Sequence, residues 1–215
     1  MDKSKTVIIL VHGLWNSGRA MSVMAARLRS RGHPVAVFSY PSRGNNLQGH
    51  AKALHEFIGN IKTDKLHLVG HSLGGLVILK LLSCFDDMPP GRVVLMGSPV
   101  RGSRAAGRLE DLPGLSFLFG KIGDDLAQGF WQTPDLRETG VICGTRSIGL
   151  GRMTGRLNEA NDGSVGVSET ELNGLKDGIV LPVAHTQMLV SALVVDQLVH
   201  FLLHGRFSRE TEVPA

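Results

Sequence analysis

Six short apolar runs, rich in β-branched residues, recur along the chain at 7–11, 35–40, 66–70, 93–96, 141–144 and 179–183. Their apolarity is continuous rather than alternating, which is what a strand requires when both faces of its sheet are covered. Helical stretches fall between and after them, at 17–30, 47–60, 73–84 and 186–203, with Gly32 and Gly205 placed as C-terminal stops. This rhythm predicts an α/β fold, with a mostly parallel sheet of about six strands flanked by helices. A chain of 215 residues buries one sizeable core and scarcely two, so residues 1–215 read as a single domain.

One stretch breaks the rhythm. Residues 100–140 lapse into glycine, proline and short apolar clusters that hold Leu115, Phe117, Leu118, Phe119, Phe130 and Trp131. A long excursion between two core strands is either functional or carries elements of its own. It is expected to form a short lid-like insertion over an apolar site; the alternative is a helix pair packed onto the sheet, with its aromatics in the core.

The chemistry concentrates at Gly70-His71-Ser72-Leu73-Gly74, directly after an apolar run and directly before a helical one. A G-x-S-x-G at a strand-to-helix turn holds its serine in a strained backbone conformation, with the hydroxyl projecting at the carboxyl edge of the sheet. A helix-capping serine would not need glycine on both sides. Ser72 is therefore the candidate nucleophile.

A serine hydroxyl needs a base to take its proton, and the base needs an acid to hold its tautomer. In folds with this turn the chain order is serine, acid, histidine. Only His185, His200 and His204 follow Ser72, and His185 alone sits on a loop between a strand and a helix; the other two read as helix-surface residues. The acid should lie between 144 and 185, where Glu159, Asp162, Glu169, Glu171 and Asp177 are available. Asp162 lies in the tight-turn sequence Asn161-Asp162-Gly163-Ser164-Val165, which can present a carboxylate from a fixed loop, with Glu169 as its rival. Two backbone amides are expected to face a developing oxyanion. These are Leu73, after the nucleophile, and Leu14, in the turn His12-Gly13-Leu14-Trp15. Trp15, Phe117 and Phe119 are the candidate substrate contacts.

Other chemistries find little support. The net charge of +4 comes from scattered basic residues, with no aromatic-interleaved stripe of the kind that binds nucleic acid. Arg27, Arg29 and Arg31 read as a solvated helix end, and Arg101, Arg104 and Arg108 as a loop flank. Gly13, Gly18 and Arg19 mimic a phosphate-binding loop, but Arg19 and Ala20 stand where that loop needs Lys and then Ser or Thr. No metal-ligand spacing is visible, and no cofactor is expected. Cys84 and Cys143 form no metal or redox motif and are expected to be free, buried thiols. Residues 188–203 are too short and too polar for a membrane span, and no signal-type apolar segment precedes the first run, which points to a cytoplasmic protein.

Taken together, His12-Gly13, Gly70-His71-Ser72-Leu73-Gly74-Gly75, Gly97-Ser98-Pro99 followed by Arg101-Gly102-Ser103, the 161–165 turn and His185 make the chain resemble small bacterial α/β-hydrolases of the lipase and esterase type. Ser98 and Val100 stand where lipase-like members carry Thr and His. The resemblance implies hydrolysis of a small or lipid-like carboxylic ester through an acyl-enzyme. Acyl transfer, thioester or amide cleavage would share that intermediate, and a non-catalytic binding protein could share the fold.

Overall fold

The computed structural model describes residues 5–104, 106–107, 119–130, 137–148 and 159–209. Six strands form one sheet: β1 (Thr6–Val11), β2 (Val35–Phe38), β3 (Lys65–His71), β4 (Val93–Met96), β5 (Thr139–Gly144) and β6 (Asp177–Leu181). Their order is β2-β1-β3-β4-β5-β6, and every neighbouring pair is parallel. Side chains of successive strand residues alternate between two cores. Ile9, Val11, Leu68 and Leu95 pack under the helices α2 (Leu47–Gly59) and α3 (Leu73–Cys84). Ile8, Leu10, Val69 and Met96 pack under α1 (Ser22–Ser30) and the terminal helix, α5 (Ala192–His204). Both faces are covered, which explains why the central strands read as unbroken apolar runs.

The departures from expectation lie at strand ends and helix starts. The last strand begins and ends two residues before the predicted 179–183. It is an edge strand with alternating burial, Val180 is 52% exposed, and Pro182, which has no amide hydrogen, stops the ladder. The second strand ends at Phe38 rather than residue 40, because the Tyr40 amide turns away to donate to His12 Nε2 at 3.2 Å. The predicted helix 17–30 begins as a 3₁₀ turn, Gly18–Met21, before α1. The predicted helix 186–203 divides into a 3₁₀ turn, Thr186–Leu189, and α5, which restarts where Ser191 caps the amide of Val194 and ends at left-handed Gly205 (φ 73°). Cys143 is buried as expected, but Cys84, in the last turn of α3, faces solvent.

Within the excursion 100–140, the described residues include a 3₁₀ turn Gly120–Ile122 and a short helix, α4 (Gly123–Gln128). Asp125 of α4 accepts the amide of Leu47 at 2.8 Å, completing the start of α2, where Asn46 already caps Gly49. Leu115, Phe117, Leu118, Trp131 and Arg108 lie outside the described residues.

Several histidines are buried in neutral form. His67 on β3 accepts the Arg92 amide at Nδ1 (2.9 Å), and burial, aided by Lys65 and Arg92, pushes it down to about 4. His71 at the end of the same strand is pushed by burial down to about 3. Because both folded-state values lie below the ~6.5 of a free imidazole, the unfolded chain takes up these protons first. Stability is thus complete above about pH 6.5 and declines as pH falls through the window down to the folded values. The urea midpoint is expected to drop between pH 7 and pH 5. His67→Asn, whose Oδ1 can keep the Arg92 contact without titrating, should recover on the order of 1–2 kcal/mol of that loss near pH 5. An unchanged pH slope in His67→Asn contradicts this account.

Candidate active site

A parallel sheet sends every strand's carboxyl end to one edge, and the strand order reverses between β1 and β3, where such sheets open a crevice. Ser72 stands at that reversal. Its backbone has φ 54° and ψ −125°, a conformation that L residues seldom adopt, and its hydroxyl makes no capping bond to α3. The conformation is held from both sides: the Ser72 amide donates to Met96 O (2.9 Å), and Gly75 donates to Ser72 O (3.0 Å). The flanking glycines are sterically required. A Cβ on Gly70 would lie 2.5 Å from the Gly75 nitrogen, and one on Gly74 would lie 2.2 Å from the Val11 carbonyl oxygen.

His185 follows β6 by four residues, and its Nδ1 lies 2.7 Å from Asp162 Oδ2. Asp162 is 1% exposed. Its other oxygen accepts the amides of Ser164 (2.9 Å) and Val165 (2.7 Å), so the tight turn holds the carboxylate from behind. The His185 amide also donates to the Asp162 carbonyl at 2.8 Å, which locks the two loops together. A carboxylate facing Nδ1 places the ring proton there and leaves Nε2 with a lone pair.

The other acids between β5 and His185 are engaged elsewhere. Glu169, the rival, is buried against Arg104, whose amide and Nε both donate to its Oε1 at 2.9 Å, while Gly166 donates to its Oε2. Glu159 pairs with Arg104 and Ser168, Glu171 with Arg101, and Asp177 with Arg209. His200 and His204 lie side by side on α5 with their rings tilted at 47°, and His200 is bonded to Arg206 O.

Three residues that the sequence reading quoted only as motif letters, with no role of their own, stand at the site. Gly97, after β4, has φ 54°, and a Cβ there would lie 2.8 Å from Asp162 Oδ2 and 3.1 Å from His185 Nδ1. His12 bridges Gly13 O through Nδ1 (2.9 Å) and the Tyr40 amide through Nε2. The Tyr40 contact makes Nε2 the acceptor, so Nδ1 donates to the Gly13 carbonyl. The carbonyl of a trans peptide and the following amide point in opposite directions, so this bond also aims the Leu14 N–H. Neither Leu14 N nor Leu73 N has an acceptor among the described residues. The third residue is His71, whose imidazole contacts His185. Glycine is common and histidine is often core, so single letters could not mark these three.

Trp15 has φ 57° and is 47% exposed; its amide donates to Ser42 Oγ at 3.1 Å, and its ring lies 5.6 Å from that of Phe119. Phe119 itself is buried in the core under α2 and α3. Trp15, Asn16, Ser42, Arg43 and Gly120 line an open groove of about 1000 Å³. Among the described residues no cluster of three or more His, Cys, Asp or Glu side chains could hold a metal, and no helix is long and apolar enough to cross a membrane.

A parallel six-stranded sheet with this serine turn defines the α/β-hydrolase class. The chain belongs to the alpha/beta hydrolase family, whose model matches residues 8–162. A carbendazim-hydrolysing esterase of a Nocardioides species is 35% identical over 79 residues, 33% of this chain and 33% of that enzyme, so the match spans a third of that relative. The mature form of a Bacillus licheniformis lipase superposes with a TM-score of 0.70 at 21% identity, covering 94% of this chain and 93% of that one. A variant of tomato methylketone synthase I, solved with β-ketoheptanoate, gives 0.65 at 16% identity, covering 94% and 99%. At such identities the two structures speak for the fold.

Gly97→Ala is expected to strain the backbone by roughly 1–2 kcal/mol and to push Asp162 from His185. Thermal unfolding should report the first effect, and loss of a downfield imidazole proton resonance the second. Retention of that resonance at full intensity contradicts the close approach.

Proposed function

We propose that this chain is a serine hydrolase that cleaves carboxylic esters through an acyl-enzyme, with Ser72 as nucleophile, His185 as base and Asp162 as the acid that orients it. The observation that carries this reading is the convergence at one sheet edge of a strained serine and a hydrogen-bonded Asp–His pair whose carboxylate is buried. Ser72 is adjacent to His71, whose ring centroid lies 4.6 Å from that of His185. The described relatives named for esterase and lipase activity support the choice of an ester over other acyl compounds.

In this mechanism His185 Nε2 takes the Ser72 proton as Oγ bonds to the ester carbonyl carbon, and the carbonyl π pair moves onto oxygen. The amides of Leu14 and Leu73 stabilise that oxyanion. Collapse of the intermediate breaks the bond to the alkoxy group, which leaves with the proton from His185. Water then repeats the sequence, attacking the acyl carbon as His185 takes its proton, and the acid departs as Ser72 Oγ is reprotonated. Asp162 stays ionised throughout and stabilises the imidazolium in each half. Trp15, with Phe119 behind it, supplies the apolar wall beside the oxyanion site, where an acyl or alkyl group would rest. Phe117, the remaining candidate contact, lies outside the described residues.

Hydrolysis of short 4-nitrophenyl esters tests the reading. Ser72→Ala and His185→Ala are each expected to lower kcat by about three orders of magnitude or more, and Asp162→Asn by somewhat less. Because the base acts only when unprotonated, kcat/KM should fall on the acid side. Glu169→Gln should keep most of its turnover per folded molecule. Near-full activity in Asp162→Asn together with loss in Glu169→Gln would reverse the assignment of the acid.

A further inference from the structure

The residue between Gly70 and the nucleophile occupies a position that the G-x-S-x-G pattern leaves open, yet here it is a buried imidazole against the base. His71 is 1% exposed, and its Nε2 lies 3.0 Å from the backbone carbonyl oxygen of His185. A carbonyl can only accept, so the proton is on Nε2 and the bond runs from His71 to His185. Its Nδ1 is buried without a hydrogen-bond partner, beside Gly13, where an added Cβ would lie 3.2 Å away.

We propose that His71 is a positioning residue for the base, its Nε2–H tying the backbone of His185 to the peptide that carries the nucleophile. The proposal rests on the reading of Ser72 and His185 as nucleophile and base. Among the described residues, the other two hydrogen bonds that tie His185 to a different loop both run to Asp162, the ring contact and the amide-to-carbonyl bond. Both of those bonds fix His185 relative to the acid, and neither fixes it relative to Ser72. The His71 bond supplies the missing reference, because it begins one residue before Ser72, at the end of β3, and ends on the base itself.

The chemistry of the site selects for a neutral donor. The ionisable groups facing His71 are His185 and His12, with Asp162 beyond His185. His185 becomes a cation each time it takes a proton, and a lysine or arginine at position 71 would place a like charge against it. Burial keeps the His71 ring uncharged, and Nδ1, buried without a hydrogen-bond partner, offers a second proton no acceptor. A neutral imidazole thus gives a hydrogen bond without opposing the charge that forms on its neighbour.

The test compares side chains of graded reach in the 4-nitrophenyl ester assay, with Ser72→Ala and His185→Ala alongside. His71→Leu keeps bulk but donates nothing, and is expected to lower kcat by roughly 10- to 100-fold while KM changes by less than about threefold. His71→Gln, whose Nε2 reaches as far as that of histidine, should recover most of the loss. His71→Asn, equally polar but one bond shorter, should not. If His71→Leu does not fold, the Gln and Asn pair decides the matter, because a purely structural role would treat the two amides alike. Wild-type kcat in His71→Leu, or equal kcat in His71→Gln and His71→Asn, overturns the proposal. Those results leave the triad standing as long as Ser72→Ala and His185→Ala are inactive; activity in either of those two would instead remove the reading beneath it.

Discussion

The first turn of α3 lies directly against the end of β1, with Gly74 so near the Val11 carbonyl that no side chain fits between them. That contact draws two parallel strands together at the reversal of strand order, and the site follows from it. It forces the chain to turn sharply at Ser72, puts the amide of Leu73 at the head of a helix, and brings the His12–Leu14 turn beside it. Gly13 closes the same junction, since a Cβ there would lie 2.9 Å from Ser72 Cβ. The apolar packing of β1, β3 and α3 is complete, with Ile9, Val11, Leu68, Leu73 and Leu76 all fully buried. This packing holds the strained serine in place, since an isolated turn would relax.

The polar part of the site is a set of imidazoles in assigned tautomers. His12 donates to Gly13 O and accepts from Tyr40; His71 donates to His185 O; His185 faces Asp162. Burial lowers the affinity of His12 and His71 for a second proton, so they serve as neutral hydrogen-bonding struts. The Asp162 carboxylate is the one buried charge among these groups, and two backbone amides and an imidazole satisfy it.

The sheet was legible because strands covered on both faces cannot be mistaken for amphipathic ones: all six runs correspond to strands, and the central ones match within two residues. The edge strand β6 was misplaced because its burial alternates and Pro182 ends it early. Helix starts were blurred where 3₁₀ turns precede α1 and α5, since periodicity does not separate the two helix types over four residues. At the site, the turn sequence around Asp162 and the loop position of His185 singled out two residues that the structure places 2.7 Å apart, Nδ1 to Oδ2. Gly97, His12 and His71 were invisible in that role, because a close approach or a tautomer is a property of three-dimensional neighbours. The aromatics of the excursion could not be divided between core and site from sequence; Phe119 is buried in the core and touches Trp15 at its edge.

The central claim is that the strained serine at the end of β3 is the nucleophile, and it is tested most directly by the mass of the peptide that carries a fluorophosphonate adduct. The native protein is expected to take up one phosphonyl group, on the peptide containing Ser72, and the urea-unfolded protein none. Modification of a different serine, or equal labelling before and after unfolding, would contradict the account.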